Sequence, residues 1–226
     1  MTTQIHVITI GAFNRYLLHD EGWILVDTGI PHTAGRVMRT LQRLGLEPGQ
    51  VKLILLTHGH VDHAGSVREL QERTGARIAI HYRDRELVET GRVVAPPMRN
   101  AAGRVVDAAL ARITRHMRFP SARADIVIGD EGLSLAEFGI LGRVIPTPGH
   151  TWGSVSLLLD SGEAFVGDLG GAGGWRGRAP RIPPAGDDPQ EIVNSWRKLL
   201  SAGATTIYPG HGPSFPAQSM RDALGL

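Results

Sequence analysis

The segment Thr57-His58-Gly59-His60-Val61-Asp62-His63-Ala64-Gly65 constrains this chain more than any other, because three imidazoles and one carboxylate fall within six positions. It follows the apolar run Leu53-Ile54-Leu55-Leu56, which reads as a buried strand. It precedes Ser66 to Arg73, which reads as a helix stopped by Gly75. The cluster therefore belongs to a strand-to-helix loop, the kind of place where a rigid scaffold presents chemistry. One surface histidine needs no explanation. Four such groups crowded into one loop would leave several polar atoms to satisfy, at about 1–3 kcal/mol for each one left unpaired. A bound cation removes that cost, and imidazole with carboxylate suits zinc, iron or manganese.

Other strand ends carry residues of the same types. Trp23-Ile24-Leu25-Val26 ends in Asp27-Thr28-Gly29, where the carboxylate serves either as a turn cap or as part of the cluster's surroundings. Arg143-Val144-Ile145 runs into Pro146-Thr147-Pro148-Gly149-His150, Ala164-Phe165-Val166 into Gly167-Asp168, and Thr205-Thr206-Ile207-Tyr208 into Pro209-Gly210-His211-Gly212. In open α/β sheets ligand sites lie outside the carboxyl ends of the strands, so these residues can meet at one place. Two divalent ions close together need about seven protein donors plus a shared water. His58, His60, Asp62, His63, His150, Asp168 and His211 supply seven.

Between these points the chain reads as mixed α/β. Residues 4–10 and 14–19 open an antiparallel sheet. Residues 33–44 form an amphipathic helix through Val37, Leu41 and Leu44, and Arg77 to Ile80 is a further strand. Residues 100–117 place Val105, Ala109 and Ile113 at helical spacing, so about 91–120 is expected as a helical insertion, either a lid over a pocket or a plain surface helix. Residues 169–187 are rich in Gly, Pro and Arg and read as an irregular loop. A helix from Pro189 to Leu200 follows, with Asp188 as its cap. Residues 1–226 are expected to form a single domain.

Composition narrows the function classes. With no cysteine, disulfides, thiolate metal sites, iron–sulfur clusters and cysteine nucleophiles are excluded. A net charge of +2 without any run of like charge offers no nucleic-acid footprint. No run approaches the length of a membrane span and the amino terminus is unlike a signal peptide, so a cytoplasmic protein with a small-molecule substrate and no membrane partner is expected.

The five segments together resemble the metallo-β-lactamase-fold metallo-hydrolases, in their glyoxalase II-like and lactonase-like branch: Asp27 of V-D-T-G, T-H-G-H-V-D-H, His150 of P-G-H-T, Asp168 of G-D and His211 of P-G-H-G. The likeness spans residues 5 to 215. It implies a four-layer αβ/βα sandwich with the site at one edge of two facing sheets. It also implies two divalent ions, zinc first with iron or manganese as alternatives. His58, His60 and His150 would hold one, Asp62, His63 and His211 the other, with Asp168 bridging and Asp27 orienting a ligand from behind. Asp62 and Asp168 are the carboxylates expected to take part in catalysis. The implied reaction is hydrolysis of a thioester, ester or lactone carbonyl. The alternative is a persulfide-dioxygenase-like oxidoreductase with one iron. A true β-lactamase fits less well, since the cysteine-containing type is excluded and the other di-zinc type does not bridge its ions through an Asp such as Asp168. Ile113 and Trp175 are candidate pocket residues outside the metal motifs. His6, His19, His32, His81 and His116 match no motif position and are expected in surface or structural roles.

Overall fold

Strand formation begins where β-branched and aromatic residues cluster, and it sorts the chain into two six-stranded sheets. The computed structural model describes residues 3–97, 112–173, 178–183 and 185–226. In the first sheet β1 (Gln4–Ile10), β2 (Phe13–His19), β3 (Trp23–Val26), β4 (Val51–Leu55), β5 (Arg77–His81) and β6 (Ile126–Ile128) lie in chain order. The first three are antiparallel, and β3 to β6 run parallel. The second sheet takes its strands in the order β14 (Phe215–Pro216), β13 (Thr206–Pro209), β10 (Glu163–Gly167), β9 (Val155–Leu159), β8 (Gly142–Pro146) and β7 (Leu133–Ser134).

Apolar residues on both faces of each sheet dictate the layering. Leu18, Ile24, Val26, Leu53 and Leu55 of the first sheet pack against Val144, Val155, Leu157 and Phe165 of the second to fill the space between them. On the outer face of the first sheet, Leu17, Leu25, Ile54 and Ile78 meet Val37 and Leu41 of α1 (Ala34–Arg43) and Val67 and Leu70 of α3 (Val67–Thr74). On the outer face of the second, Leu158, Val166 and Ile207 meet Ile192, Trp196 and Leu199 of α5 (Pro189–Ser201) and Met220 of α6 (Gln218–Leu224). The result is a helix–sheet–sheet–helix sandwich. Local signals set the helix ends. Asp188 accepts from the backbone N–H groups of Gln190 and Glu191 with Pro189 in the first turn, and α3 stops at Gly75 in the left-handed conformation. No helix among the described residues is long and apolar enough to cross a membrane.

Strand direction gathers the site. β3 and β4 run parallel, as do β10 and β13, and two successive antiparallel pairings orient β8 the same way as β10. The carboxyl ends of β3 and β4 therefore share one edge of their sheet, and those of β8, β10 and β13 share one edge of theirs.

Three segments differ from expectation. Residues 169–187 are not irregular throughout, since β11 (Gly171–Gly173) pairs antiparallel with β12 (Arg178–Arg181). Backbone hydrogen bonds need no side-chain signature, so Gly-rich composition concealed that hairpin. The metal-type cluster is not purely a loop either, because α2 (Val61–Ala64) gives it one helical turn. In the expected insertion, α4 (Arg85–Thr90) leads into it, residues 112–114 are helical, and Phe119 and Ala122 return to the core. Val105, Ala109 and most of the helix expected at 100–117 lie outside the described residues, as does Trp175.

Candidate metal centre

The seven candidate donors occupy two adjacent groups. Ligand-type atoms of His58, His60 and His150 lie within 4.8 Å of one another, as do those of Asp62, His63, Asp168 and His211. Asp168 reaches both: Oδ1 is 3.1 Å from His63 Nε2 and 3.2 Å from His211 Nε2, while Oδ2 is 3.5 Å from His150 Nε2. His60 Nδ1 stands 3.0 Å from His150 Nε2. His58, His60, His63 and His150 are buried, whereas the side chain of His211 is 37% exposed and that of Asp62 26%, so the centre opens on the second group's side.

Local structure explains each position. His58 and His60 sit on either side of Gly59 just past β4. The turn α2 then brings Asp62 and His63 back toward them, held by His63 N–H and Ala64 N–H donating to His60 O. His150 follows Gly149 at φ +132, a backbone conformation that L side chains rarely adopt. His211 is clamped from the first sheet: Asn14 donates its backbone N–H to Gly210 O and its amide to Pro209 O and Gly212 O, and Tyr16 donates its hydroxyl to Pro209 O at 2.5 Å. A Cβ on Gly210 would stand 2.5 Å from His63 Cε1 and 2.7 Å from Asp168 Oδ1, so only glycine lets this loop come so close.

Asp27 lies behind the second group, buried and in the left-handed conformation at φ +61. Its Oδ1 accepts from Thr57 N–H at 2.8 Å, and its Oδ2 accepts from the Thr57 hydroxyl at 2.8 Å and faces His63 Nδ1 at 2.8 Å. Holding the His63 proton on Nδ1 leaves Nε2 directed at the cluster.

The electrostatics of the protein chain alone divide the two groups. Burial, reinforced by neighbouring imidazoles, holds His58 well below its ordinary pKa, and burial with His150 beside it brings His60 to about 3. Burial also lowers His150, against the pull of Asp168. These three imidazoles are neutral, the form that donates a lone pair to a metal. In the second group, the Asp168 and Asp62 carboxylates, 3.2 and 3.3 Å from its Nε2, lift His211 to about 9. Burial works against protonation of His63, but Asp168 and Asp27 outweigh it and hold that group well above its usual range. Burial likewise opposes ionisation of Asp168, and His63 and His211 overcome it.

The donor set fits metal ions on a separate observation. Among the described residues, His58 Nε2, His63 Nε2 and Asp168 Oδ1 are buried and have no partner in hydrogen-bonding geometry, although His63 Nε2 and Asp168 Oδ1 stand 3.1 Å apart. Buried polar atoms are ordinarily satisfied, and three converging orphans of donor type are what a cation site leaves when the protein is considered alone.

Comparison with known proteins agrees. The family model described as "Metallo-beta-lactamase superfamily" matches residues 11–211. The chain belongs to this superfamily. Among superfamily relatives it is 32% identical to "Probable metallo-hydrolase YflN" of Bacillus subtilis (strain 168), over 72% of this chain and 62% of the relative. It is 30% identical to "Metallo-beta-lactamase domain-containing protein 1" of Xenopus laevis, over 85% of this chain and 67% of that protein. The chain thus spans about three-fifths to two-thirds of those relatives' length. A solved superfamily structure, the BLEG-1 B3 metallo-beta-lactamase, is similar in fold with a TM-score of 0.70 and 23% identity, covering 97% of both chains. A Cronobacter sakazakii metallo-beta-lactamase gives 0.67 at 20% identity, over 92% of this chain and 74% of that one.

Sequence reasoning passed over several residues around the centre. Thr57, Asn14 and Tyr16 hold its loops, and Asp84 is buried against two of them. Arg15, fully buried in β2, lies close enough to Asp27 to interact electrostatically. Thr57 adjoins the cluster in sequence, and its position was a usable signal; Asp84 had none. Ile113 is 62% exposed. Of the unmatched histidines, His81 is buried at the end of β5 with Asp130 beside it, and His19 stacks on Trp23.

Proposed function

We propose that the chain is a two-ion hydrolase of a small carbonyl substrate, a thioester, ester or lactone. His58, His60 and His150 would hold one divalent ion and Asp62, His63 and His211 the other, with Asp168 shared and Asp27 fixing His63 from behind. Zinc is the first expectation from the donor chemistry, imidazole nitrogen and carboxylate oxygen without thiolate. The placement of Asp168, with one oxygen toward each group, carries this reading. Two separate donor sets joined by one carboxylate favour two ions over the single iron of a dioxygenase.

Bound there, the ions would lower the pKa of a shared water and polarise the carbonyl that it attacks. The chain's own residues account for the rest. The buried imidazoles His58, His60 and His150 exclude solvent from one side, so substrate enters past His211 and Asp62. Asp62, partly exposed and 3.3 Å from His211 Nε2, can take up a proton at a carboxylate oxygen and pass it outward. Phe13 stands edge-on to His211 with ring centroids 5.1 Å apart and helps to hold that imidazole in place. Ile113 and Trp175 remain the proposed contacts for the acyl group.

Metal analysis and a substrate panel on one sample test the reading. About two ions per chain are expected, with turnover of a thioester, ester or lactone that a chelator abolishes. A β-lactam belongs in the panel because structural neighbours carry that name, and a phosphodiester serves as contrast. A fully metal-loaded sample holding one ion or none would overturn the two-ion assignment.

A further inference from the structure

Asp84 belongs to no metal motif, yet it is a carboxylate only 4% exposed that touches both loops of the first histidine group. It stands just past β5, at the start of α4, and one of its oxygens, Oδ2, accepts two hydrogen bonds. One comes from Gly59 N–H at 2.8 Å, between His58 and His60; the other comes from Thr151 Oγ1 at 2.8 Å, immediately after His150. Two glycines let this contact close. A Cβ on Gly59 would stand 3.1 Å from Asp84 O and from Leu87 Cβ, and one on Gly153 would stand 2.3 Å from Asp84 Oδ1. Thr151 is itself held by Ser154, whose hydroxyl lies 2.8 Å from Thr151 Oγ1 and accepts from Thr151 N–H at 3.0 Å.

We propose that Asp84 is a positioning residue for the first ion, a strap that fixes the His58–His60 loop of one sheet to the His150 loop of the other. The inference rests on the metal reading above and adds a residue to it. Three imidazoles that converge from two different sheets need a common reference, because a shift of either loop moves the donors apart. Gly59 N–H and Thr151 Oγ1 are those loops' own groups, and a single oxygen receives both. The strap acts on His58, His60 and His150 only. His63 and His211 are fixed by Asp27 and by the Asn14–Tyr16 clamp.

Chelator competition with zinc on the full chain tests this, reading each ion's affinity separately and the visible spectrum after cobalt substitution. Asp84→Ala is expected to weaken the first ion about 10–100-fold, the range for residues that orient metal ligands, and to change the cobalt bands, with the second ion affected much less. Asp84→Asn keeps an acceptor oxygen and should restore affinity to within about threefold of the natural chain. Thr151→Val removes only the hydroxyl arm and should cost about 3–10-fold; it stands in if Asp84→Ala does not fold. Natural-chain affinity in Asp84→Ala and Thr151→Val, equal loss at both ions, or an Asn variant as weak as Ala would each overturn the strap. A natural chain that binds no zinc would instead overturn the metal reading itself.

Discussion

Replacing Asp27 by Asn separates the two tasks of a single buried carboxylate. Asp27 now takes Thr57 N–H and the Thr57 hydroxyl and faces His63 Nδ1. Asn can keep its carbonyl toward Thr57, and it tolerates the left-handed φ of +61 better than most residues. Its amide, however, must face His63 Nδ1 as a donor. The imidazole then carries its proton on Nε2, and the lone pair aimed at the second ion is lost. Charge-assisted hydrogen bonds become neutral ones, a stability cost of about 1–2 kcal/mol, or roughly 2–8 °C in melting temperature for a chain of this size. Binding of the second ion should fall about 10–100-fold while the first changes little. Asp27→Ala is a poorer probe. It orphans Thr57 N–H and His63 Nδ1, at about 1–3 kcal/mol each, and adds about 1–2 kcal/mol of left-handed strain, so ion loss and unfolding would coincide. The assay is zinc competition against a chelator, paired with melts of the metal-free proteins. If Asp27→Asn holds its second ion as tightly as the natural chain, then Asp27 does not set the His63 tautomer.

Asp168→Asn should lower kcat by about 10²-fold or more with the fold retained, because a shared charge between the two groups is removed; near-natural turnover with two ions bound would exclude the shared role. Metal-free protein should be most stable near pH 6.5. His58, His60 and His150 have folded pKa values below the unfolded one, so their stabilisation is lost as pH falls from about 6.5 toward 3. His63 and His211 have raised values, so theirs is lost as pH rises from about 6.5 through 9. Urea melts of chelated protein from pH 5 to 9 check this, and a flat profile contradicts it. Alanine at Ile113 and at Trp175 should reorder kcat/KM among esters and thioesters with metal content constant, by about 10-fold or more for each apolar group removed from the acyl chain's surroundings; an unchanged order returns both to structural roles.

Legibility in the sequence followed chemical rarity. His58 to His63, His150 and His211 stood out because imidazoles bracketed by Gly or Pro at strand ends serve few other purposes, and Asp27 and Asp168 gained meaning from standing at equivalent ends. The buried strands were legible as apolar runs. Asp84 was not, since Tyr82-Arg83-Asp84-Arg85-Glu86 reads as a solvated charged turn. Its burial arises only when α4 and the Thr151 loop pack over it. Arg15 was hidden for a related reason: the adjacent polar residues Asn14 and Arg15 read as a solvated start to the strand, whereas helices and the second sheet cover both faces of β2. Strands of two or three residues, such as β6, β7 and β14, carry too few positions for a period of two to register.

The division of charge between the two groups bears on which side of the centre does the chemistry. Three neutral imidazoles make up the first group, whereas the carboxylates Asp62 and Asp168 both lie in the second, with Asp27 behind it. On the two-ion reading, four positive charges face three carboxylates, which leaves a net positive site in a largely buried setting. Such a site would attract an oxygen that gains negative charge during reaction, and most strongly on the side of the uncharged ligands, where the shared Asp168 is the one carboxylate to offset the field. Solvent access, by contrast, lies on the side of Asp62 and His211. Substrate entering there would meet the carboxylate that can move a proton first and the less neutralised ion beyond it. The asymmetry already present in the sequence, H-x-H followed by D-H, would thus set the direction in which a carbonyl compound is drawn across the centre.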